Sequence, residues 1–278
     1  MTVRFSLLSA GYCLNHEHLS LAGGRRVAIK FPAMVGLIEH PQAGPVLFDT
    51  GYANHFFDET RGFPGNIYAK ITPVFYNEDE SIARQLLARG IQPADVSLVI
   101  LSHFHADHVA GAKDFPNARF VCYEGSYRKL RTMNRVRALT HAYLPGLLPK
   151  DFESRTTALE QGLRVELPEK FRPFTEGIDL FGDRSVIAVD LPGHALGHFG
   201  VLVDAAPRPY FLVGDACWHS RSYREDLMPH WLPQRIVFSD RQAYRESLHR
   251  MHELHQGNQD LIIVPSHCGE IYDALVTH

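Results

Sequence analysis

The chain has 278 residues, of which 45% are hydrophobic, and a formal net charge of −3 at pH 7. This size and composition suffice for a large buried core, and the negative charge gives no global basis for binding nucleic acid. No apolar run reaches the roughly 18 residues of a membrane-spanning helix, and residues 1–8 lack the long apolar centre of a signal peptide. We therefore expect a cytoplasmic protein whose partners include neither a membrane nor nucleic acid.

The sequence shows no internal boundary. No Pro/Ser-rich linker or low-complexity run divides it, so we expect one domain over residues 1–278 that carries insertions. The cysteines are widely spaced and form no C-x-x-C pair, which favours reduced thiols over a disulfide framework. These residues are Cys13, Cys122, Cys217 and Cys268.

The first part of the chain predicts an antiparallel meander. Strands are expected at residues 3–14, 27–38 and 46–48, with a turn at 41–44, where proline fixes φ and glycine supplies a positive φ. Residues 52–76 are rich in aromatic residues, Gly and Pro. They predict a long loop, and such loops in compact domains are often functional.

Side chains that can bind metal follow the strand predicted at 96–101, in the stretch His103-Phe104-His105-Ala106-Asp107-His108. Alternate residues of an extended chain point the same way, so His103 and His105 should share a side. Asp107 and His108 could then begin a helix and point back toward the strand end. Imidazole nitrogens and carboxylate oxygens suit zinc and similar divalent metals. One short stretch therefore offers ligands to two neighbouring ions.

Residues 125–175 carry no clear strand pattern. The first part is basic and predicts a helix, with Arg128, Lys129, Arg131, Arg135 and Arg137. One interpretation is a solvated helix face, and the other is a lid that attracts an anionic group of a substrate. Apolar and aromatic residues at 139–148 would suit a lid over a pocket, so we expect a lid insertion at about 125–175.

The second half of the chain repeats the arrangement of a strand that ends in a possible ligand. Strands are predicted at 185–191, 199–203, 210–213 and 261–264, and a helix at 240–256. Including the early motif, four strand-like runs end at a metal-competent side chain: His103, His194, Asp215 and His267. Ligands at strand ends should converge on one edge of a sheet, where rigid elements fix their geometry.

These motifs resemble those of the metallo-β-lactamase superfamily. In the family's order they are His103-x-His105-x-Asp107-His108, Pro192-Gly193-His194, Gly214-Asp215 and Ser266-His267, and they extend over nearly the whole chain. The resemblance implies an α/β fold, the αββα sandwich of two mixed sheets flanked by helices, with metals at one edge. It also implies that Asp215 bridges two metals and that Asp49, in Asp49-Thr50-Gly51, supports the ligands without binding a metal itself.

The resemblance also divides the remaining ligands between the two ions. The first metal would be held by His103, His105 and His194, and the second by Asp107, His108 and His267. Zinc is expected first, with Mn2+, Fe2+ or Co2+ as alternatives. His198 is a weaker candidate, either for support of the ligands or for packing.

Within the superfamily the sequence is most similar to the quorum-quenching N-acyl-homoserine lactonases and their relatives, including pyridoxolactonase-like enzymes. The stretch 192–198 and Asp215-Ala216 carry this similarity. An aspartate at 215 and a histidine at 105 favour binuclear hydrolases over the enzymes with a cysteine ligand or a di-iron redox site. The chain departs from the lactonase pattern at Trp218, where many lactonases have a tyrosine that contacts the substrate carbonyl, and in the length of the 125–175 insert.

The expected reaction is metal-assisted hydrolysis of a small-molecule lactone or ester with a hydrophobic acyl or aryl group. Water held between two cations would become a hydroxide nucleophile, and Asp107 would carry a proton to the leaving oxygen. Candidate substrate-binding residues are Trp218, His219 and Tyr223. Trp218 could instead pack beneath the site, and the other two could belong to an aromatic surface loop.

Three alternative functions remain open at this stage. The first is a thioester hydrolase resembling glyoxalase II, and the second is a phosphodiesterase or nuclease whose basic segment 128–137 holds phosphates. The third is a non-catalytic metal-binding sensor. The sequence also leaves open whether the chain forms a homodimer.

Overall fold

Two β-sheets stacked face to face form the centre of the structure, a computed structural model that describes residues 3–276. The strands are β1 Arg4–His16, β2 Ala28–His40, β3 Gly44–Phe48, β4 Val74–Phe75, β5 Leu98–Ile100, β6 Arg119–Cys122, β7 Thr156–Ala158, β8 Leu163–Glu166, β9 Glu176–Asp179, β10 Val186–Asp190, β11 Phe199–Val203, β12 Tyr210–Gly214 and β13 Ile262–Pro265.

The helices lie outside these sheets, and short 3-10 turns connect several of the elements. They are α1 Glu17–Ser20, α2 Asn54–Thr60, α3 Gly65–Ile71, α4 Ile82–Ala88, α5 Ala106–Val109, α6 Glu124–Arg131, α7 Arg135–Leu139, α8 Phe152–Arg155, α9 Ser220–Glu225, α10 Trp231–Ile236, α11 Arg241–Gly257 and α12 Gly269–Leu275. Within residues 3–276, no helix combines the length and the apolar character that crossing a bilayer requires.

Both sheets are mixed. The first has the order β4-β1-β2-β3-β5-β6-β7, antiparallel from β4 to β3 and parallel from β3 to β7. The second has the order β13-β12-β11-β10-β9-β8, with only the pair β12 and β13 parallel among the described strands. This arrangement confirms the predicted αββα sandwich.

Three apolar layers hold the sandwich together. The layer between the sheets includes Ile38, Phe48 and Val121 from one sheet and Phe199 and Val201 from the other, all buried. A second layer packs the helices around α2 and α5 against the outer face of the first sheet, and a third packs α9 and α11 against the second sheet. Because strands buried on both faces have continuous apolar runs, the sequence revealed β10, β11 and β12 clearly.

The segment 52–76, which was predicted as a long loop, contains α2, α3 and β4 instead. Both helices are seven residues long, too short to be stable in isolation, so tertiary packing must supply most of their stability. Phe56 and Tyr68 provide it by packing against the apolar layer on the first sheet, with ring centroids 5.7 Å apart. The sequence pattern of this segment did not show that partner.

The prediction that residues 125–175 carry no strand was wrong at two places. Strand β7 extends the first sheet by pairing in parallel with β6, and β8 pairs with β9 at the edge of the second sheet. Three residues in β7 are too few to show alternation. In β8 the alternation is present, but Leu163 is 60% exposed, so this edge strand buries little apolar surface.

The loop after β10 meets the beginning of α11 so closely that only glycine fits at residue 193. Gly193 has φ +125°, and an added Cβ atom would lie 2.0 Å from the backbone nitrogen of Tyr244. Backbone N–H groups of Ser239 and Asp240 donate to the carbonyls of His194 (2.9 Å) and Gly193 (3.0 Å). The loop that carries His194 is therefore fixed by the N-terminus of α11.

We predict that Gly193→Ala lowers the free energy of unfolding by about 3 kcal/mol or more, since backbone strain and overpacking add. Gly182→Ala is the matched control, because Gly182 also has a positive φ (+79°) but has no atom within 4 Å of an added Cβ. In the control, the free energy of unfolding should fall by only about 1–2 kcal/mol, which is the cost of a left-handed backbone conformation for alanine. Chemical denaturation followed by circular dichroism measures both losses, and equal losses would contradict the prediction.

Candidate metal centre

Seven side chains that can bind metal converge at the edge of the sandwich where β5, β10, β12 and β13 end. They form two adjacent groups, and within each group the potential ligand atoms lie within 4.8 Å of one another. The first group is His103, His105, His194 and Asp215, and the second is Asp107, His108 and His267. The structure thus brings together all the residues predicted as metal ligands.

The local chain conformation explains why one short stretch supplies both groups. His105 has an extended backbone (φ −69°, ψ 154°) and immediately precedes α5. The rings of His103 and His105 lie side by side, with centroids 4.5 Å apart. Asp107 and His108 lie on the first turn of α5, which points them to the other group. The change from the extended segment after β5 to the helical turn of α5 therefore separates the two sets of ligands.

The Asp215 carboxylate lies between the two groups. Its Oδ2 atom is 3.2 Å from His194 Nε2, and its Oδ1 atom is 3.0 Å from His267 Nε2 and 3.4 Å from His108 Nε2. Each oxygen therefore faces a different group. A carboxylate in this position can bind one cation on each side.

Asp49 orients two of the imidazoles, that of His108 directly and that of His103 through Ser102. Its Oδ2 atom accepts a hydrogen bond from His108 Nδ1 (2.7 Å) and another from Ser102 Oγ (2.8 Å). Since Ser102 Oγ donates to Asp49, it accepts from His103 Nδ1, 2.9 Å away. Both histidines thus carry a proton on Nδ1, and their Nε2 atoms face the site.

Three further hydrogen bonds orient His267 and the backbone of Asp215. His267 Nδ1 donates to the carbonyl of Pro32 (2.7 Å), which leaves Nε2 facing the site. His198 is not among the seven side chains. Its Nδ1 donates to the carbonyl of Leu191 (2.8 Å), and its Nε2 accepts from the backbone N–H of Asp215 (3.0 Å). His198 thereby supports the backbone of the central carboxylate.

The arrangement of lone pairs fits a pair of divalent cations. The Nε2 atoms of His103 and His108 are buried and have no hydrogen-bond partner among the described residues. His194 Nε2 and His105 Nδ1 lie 3.0 Å apart and converge on the same space. Buried imidazole nitrogens without a partner cost free energy, and a cation at each of the two groups would provide that partner. Imidazole and carboxylate donors are the set that zinc prefers.

The protonation states of the centre also indicate a site for divalent cations. Burial, followed by repulsion from neighbouring imidazoles, lowers the pKa of His103 and of His105, which keeps them neutral as metal ligation requires. Burial opposes protonation of His108, but the carboxylates of Asp49, Asp107 and Asp215 outweigh it and raise its pKa to about 10. These carboxylates need buried positive charge, which a divalent cation would supply in place of the protons.

Trp218 packs directly against the centre. Its side chain is buried, and its indole Nε1 donates to Asp215 Oδ2 over 3.1 Å. The ring contacts Phe31 and Phe238 and meets the His194 ring edge to face at 5.9 Å. The N–H group of Trp218, which was predicted as a substrate-binding residue, is thus bonded to the central carboxylate.

The other two predicted substrate-binding residues, His219 and Tyr223, do not contact the candidate metal ligands as Trp218 does. His219 Nε2 is 2.8 Å from Ser20 Oγ, and its ring packs on Phe31, which in turn stacks on His267 at 5.3 Å. Burial lowers the pKa of His219 to about 4, so its ring is neutral. The structure does not bring Tyr223 to the centre, because this residue is buried between α9 and β13 in the layer on the second sheet.

Two tyrosines that were not predicted as site residues lie within reach of the charge of Asp107. Burial raises the pKa of Tyr68 and of Tyr52, and the charge of Asp107 is the next cause for both. Each phenol group therefore lies in the field of the centre. The aromatic character of 52–76 was the signal in the sequence, but nothing singled out these two residues.

Two clefts approach the centre. One is lined by His105 and His194 together with Leu130 and His141 from the predicted lid, and its volume of about 20 Å³ admits about one water molecule. A larger cleft of about 900 Å³ passes Pro32, His219 and Cys268, which are neighbours of the centre, but none of the seven side chains lines it. Of these two clefts, the smaller one reaches the possible ligands directly.

Comparison with known proteins agrees with this geometry. The family profile of the metallo-beta-lactamase superfamily matches residues 29–267. The chain is 29% identical to the N-acyl homoserine lactonase AttM of Azorhizobium caulinodans over 84% of both chains.

Two solved structures share the fold at lower identity. One is an N-acyl homoserine lactone hydrolase with the product N-hexanoyl-L-homoserine bound at its catalytic metal centre, with a TM-score of 0.72, 19% identity, and coverage of 99% of this chain and 97% of that one. The other is the dizinc quorum-quenching lactonase AidC, with a TM-score of 0.65, 15% identity, and coverage of 96% and 88%. At these identities the similarity shows the fold alone. By fold and by family profile, the chain belongs to the metallo-beta-lactamase superfamily.

Proposed function

We propose that this hydrolase opens a lactone, or a related carboxylic ester with a hydrophobic acyl group, at a centre of two divalent cations. The observation that carries the proposal is the Asp215 carboxylate, whose two oxygens face two separate groups of imidazoles. The names of AttM and of the structurally similar lactone hydrolase support lactones as the substrate class.

His103, His105 and His194 would hold one cation, Asp107, His108 and His267 the other, and Asp215 would contact both. We propose zinc, since nitrogen and oxygen donors suit it and the similar AidC is named a dizinc enzyme. When bound, such cations acidify water and polarise carbonyl oxygens. The hydrogen bonds that His108 and His267 donate to the Asp49 carboxylate and the Pro32 carbonyl would keep both rings in the tautomer that binds metal.

Asp107 is the residue placed to move protons. Burial would raise its pKa, but His108 and His267 outweigh this and hold the pKa at about 2, so the carboxylate is ionised. Its side chain is 13% exposed, against 5% for Asp215 and 1% for Asp49, so it is the most accessible of these three carboxylates. We propose that it takes the proton of the attacking water.

The reaction then balances without a further cofactor. The water oxygen bonds to the carbonyl carbon, and the bond between that carbon and the ring oxygen breaks. Asp107 returns its proton to the ring oxygen, which leaves as a hydroxyl group, while the acyl carbon becomes a carboxylic acid that loses the second proton of the water to solvent. Buried apolar side chains near the ligands, among them Phe104 and Leu130, exclude bulk water from this exchange.

We also propose that part of residues 125–175 acts as a lid within a single domain. Leu130 of α6 and His141 line the narrow cleft beside His105 and His194. Tyr143 and Phe152 are buried in the apolar layer on the first sheet, and Leu130 of α6 and Ala138 of α7 belong to the same layer. Movement would therefore be confined to the side chains that border the cleft, among them the partly exposed His141.

The proposed function is tested by turnover of the zinc-loaded enzyme on acyl lactones, an open-chain ester and a thioester. We expect clear lactone hydrolysis, and we expect His103→Ala to lower kcat/KM by about 100-fold or more, because ligands should matter at least as much as their supporting residues. The exposed His16→Ala is the matched control and should leave kcat/KM unchanged.

Circular dichroism of both variants should match the wild type, since the large core does not depend on metal. Thioester hydrolysis without any lactone hydrolysis would contradict the substrate class. Wild-type activity of His103→Ala would contradict the metal-dependent mechanism itself.

For the lid, we predict that Leu130→Ala widens the cleft and raises the preference for long over short acyl chains by roughly tenfold or more, which is typical of one apolar pocket contact. The ratio of kcat/KM for decanoyl and hexanoyl lactones measures it, together with zinc content, which should not change. Leu163→Ala, at an exposed position on β8, is the control. An unchanged ratio in Leu130→Ala would show that α6 does not border the acyl site.

A further inference from the structure

The hydrogen bond from Trp218 selects one of the two oxygens of Asp215. Indole Nε1 lies 3.1 Å from Oδ2, the oxygen that faces His194 in the first group. The other oxygen, Oδ1, faces His267 and His108 and receives no such bond from the tryptophan. The environment of the carboxylate is therefore different on its two sides.

The indole ring has little freedom to move. It is 6% exposed and lies between the rings of Phe31 and Phe238, with centroid distances of 6.0 and 5.8 Å. An edge-to-face contact with the ring of His194, at 5.9 Å between centroids, is a third packing contact of the indole. Its N–H group is thus held in a fixed direction by packing that does not depend on a metal.

An indole N–H group can only donate, so Trp218 can neither bind a cation nor exchange a proton with the site. A hydrogen bond to an ionised, buried carboxylate is strong, and it restrains rotation of the carboxylate about its Cβ–Cγ bond. Mutation of residues that orient metal ligands in this way typically lowers metal affinity by about 10–100-fold.

We propose that Trp218 is a positioning residue that fixes the Asp215 carboxylate and thereby sets the affinity of the first cation site, that of His103, His105 and His194. The two sites are then unequal, because only the first depends on the oxygen held by the tryptophan. This inference rests on the proposed centre of two cations. It does not depend on which ester the enzyme hydrolyses.

Metal binding provides the test, with Zn2+ and Co2+ as probes. The chain has two tryptophans, and Trp231 on α10 is 54% exposed. In a Trp231→Phe background, Trp218 is changed to phenylalanine or, by biosynthetic replacement, to 3-benzothienylalanine, which keeps the ring size but lacks the N–H group. The benzothienyl protein keeps the test valid should Trp218→Phe fold poorly. Trp231→Phe alone is the matched control.

Competition with a chromophoric chelator gives the two dissociation constants of each protein. We expect the Zn2+ constant of the first site to rise by about 10–100-fold and that of the second to change by less than about threefold. The visible absorption of bound Co2+ should change for one ion only. In His267→Ala, which retains the first group, the effect of replacing Trp218 should persist, and in His105→Ala it should disappear.

Unchanged Zn2+ constants and an unchanged Co2+ spectrum would overturn the proposal, as would tighter binding at the first site or an equal loss at both sites. A wild-type chain that binds no Zn2+ or only one ion would overturn the proposed centre, and this inference with it. Those two failures are distinguishable, because the second is already seen before any tryptophan is changed.

Discussion

The burial of the Asp215 carboxylate between two sets of imidazoles is the constraint on which the rest of the structure depends. A buried ionised carboxylate is costly unless it is paired and hydrogen-bonded. Strands β12 and β13 pair in parallel, and the Ser266 N–H group continues this pairing by donating to the Gly214 carbonyl (3.0 Å). Asp215 and His267 therefore lie at the same edge of the second sheet. His198 and Trp218 then hold the backbone and one oxygen of Asp215.

The same electrostatics connect the fold to its proposed chemistry. Without a cation, the carboxylates raise the pKa of His108 and His267, so protons balance the negative charge. A divalent cation would replace those protons and release the imidazole lone pairs for ligation, which makes metal binding favourable as pH rises. Asp49 supports both halves, since it accepts directly from His108 and, through Ser102, from His103.

The sheets and the metal ligands could largely be predicted from the sequence. Ligands such as His103 and His267 follow apolar runs that predict buried strands, and the ends of such strands meet at one edge of a sheet. The helices within 52–76 could not be predicted, since their stability comes from rings packed on a distant sheet. The orientation of Trp218 was equally hidden, because Phe31 and Phe238, which fix its ring, lie far away in the sequence. Tyr223 illustrates the same limit: its position in the chain is close to the site, but its side chain is buried behind β13.

The central claim, that Asp215 joins two cation sites, is tested most directly by anomalous scattering from crystals grown with zinc. The account predicts two peaks at the zinc absorption edge, one beside His103, His105 and His194 and one beside Asp107, His108 and His267, with the Asp215 carboxylate between them. A single peak, or two peaks that both lie away from Asp215, would contradict it.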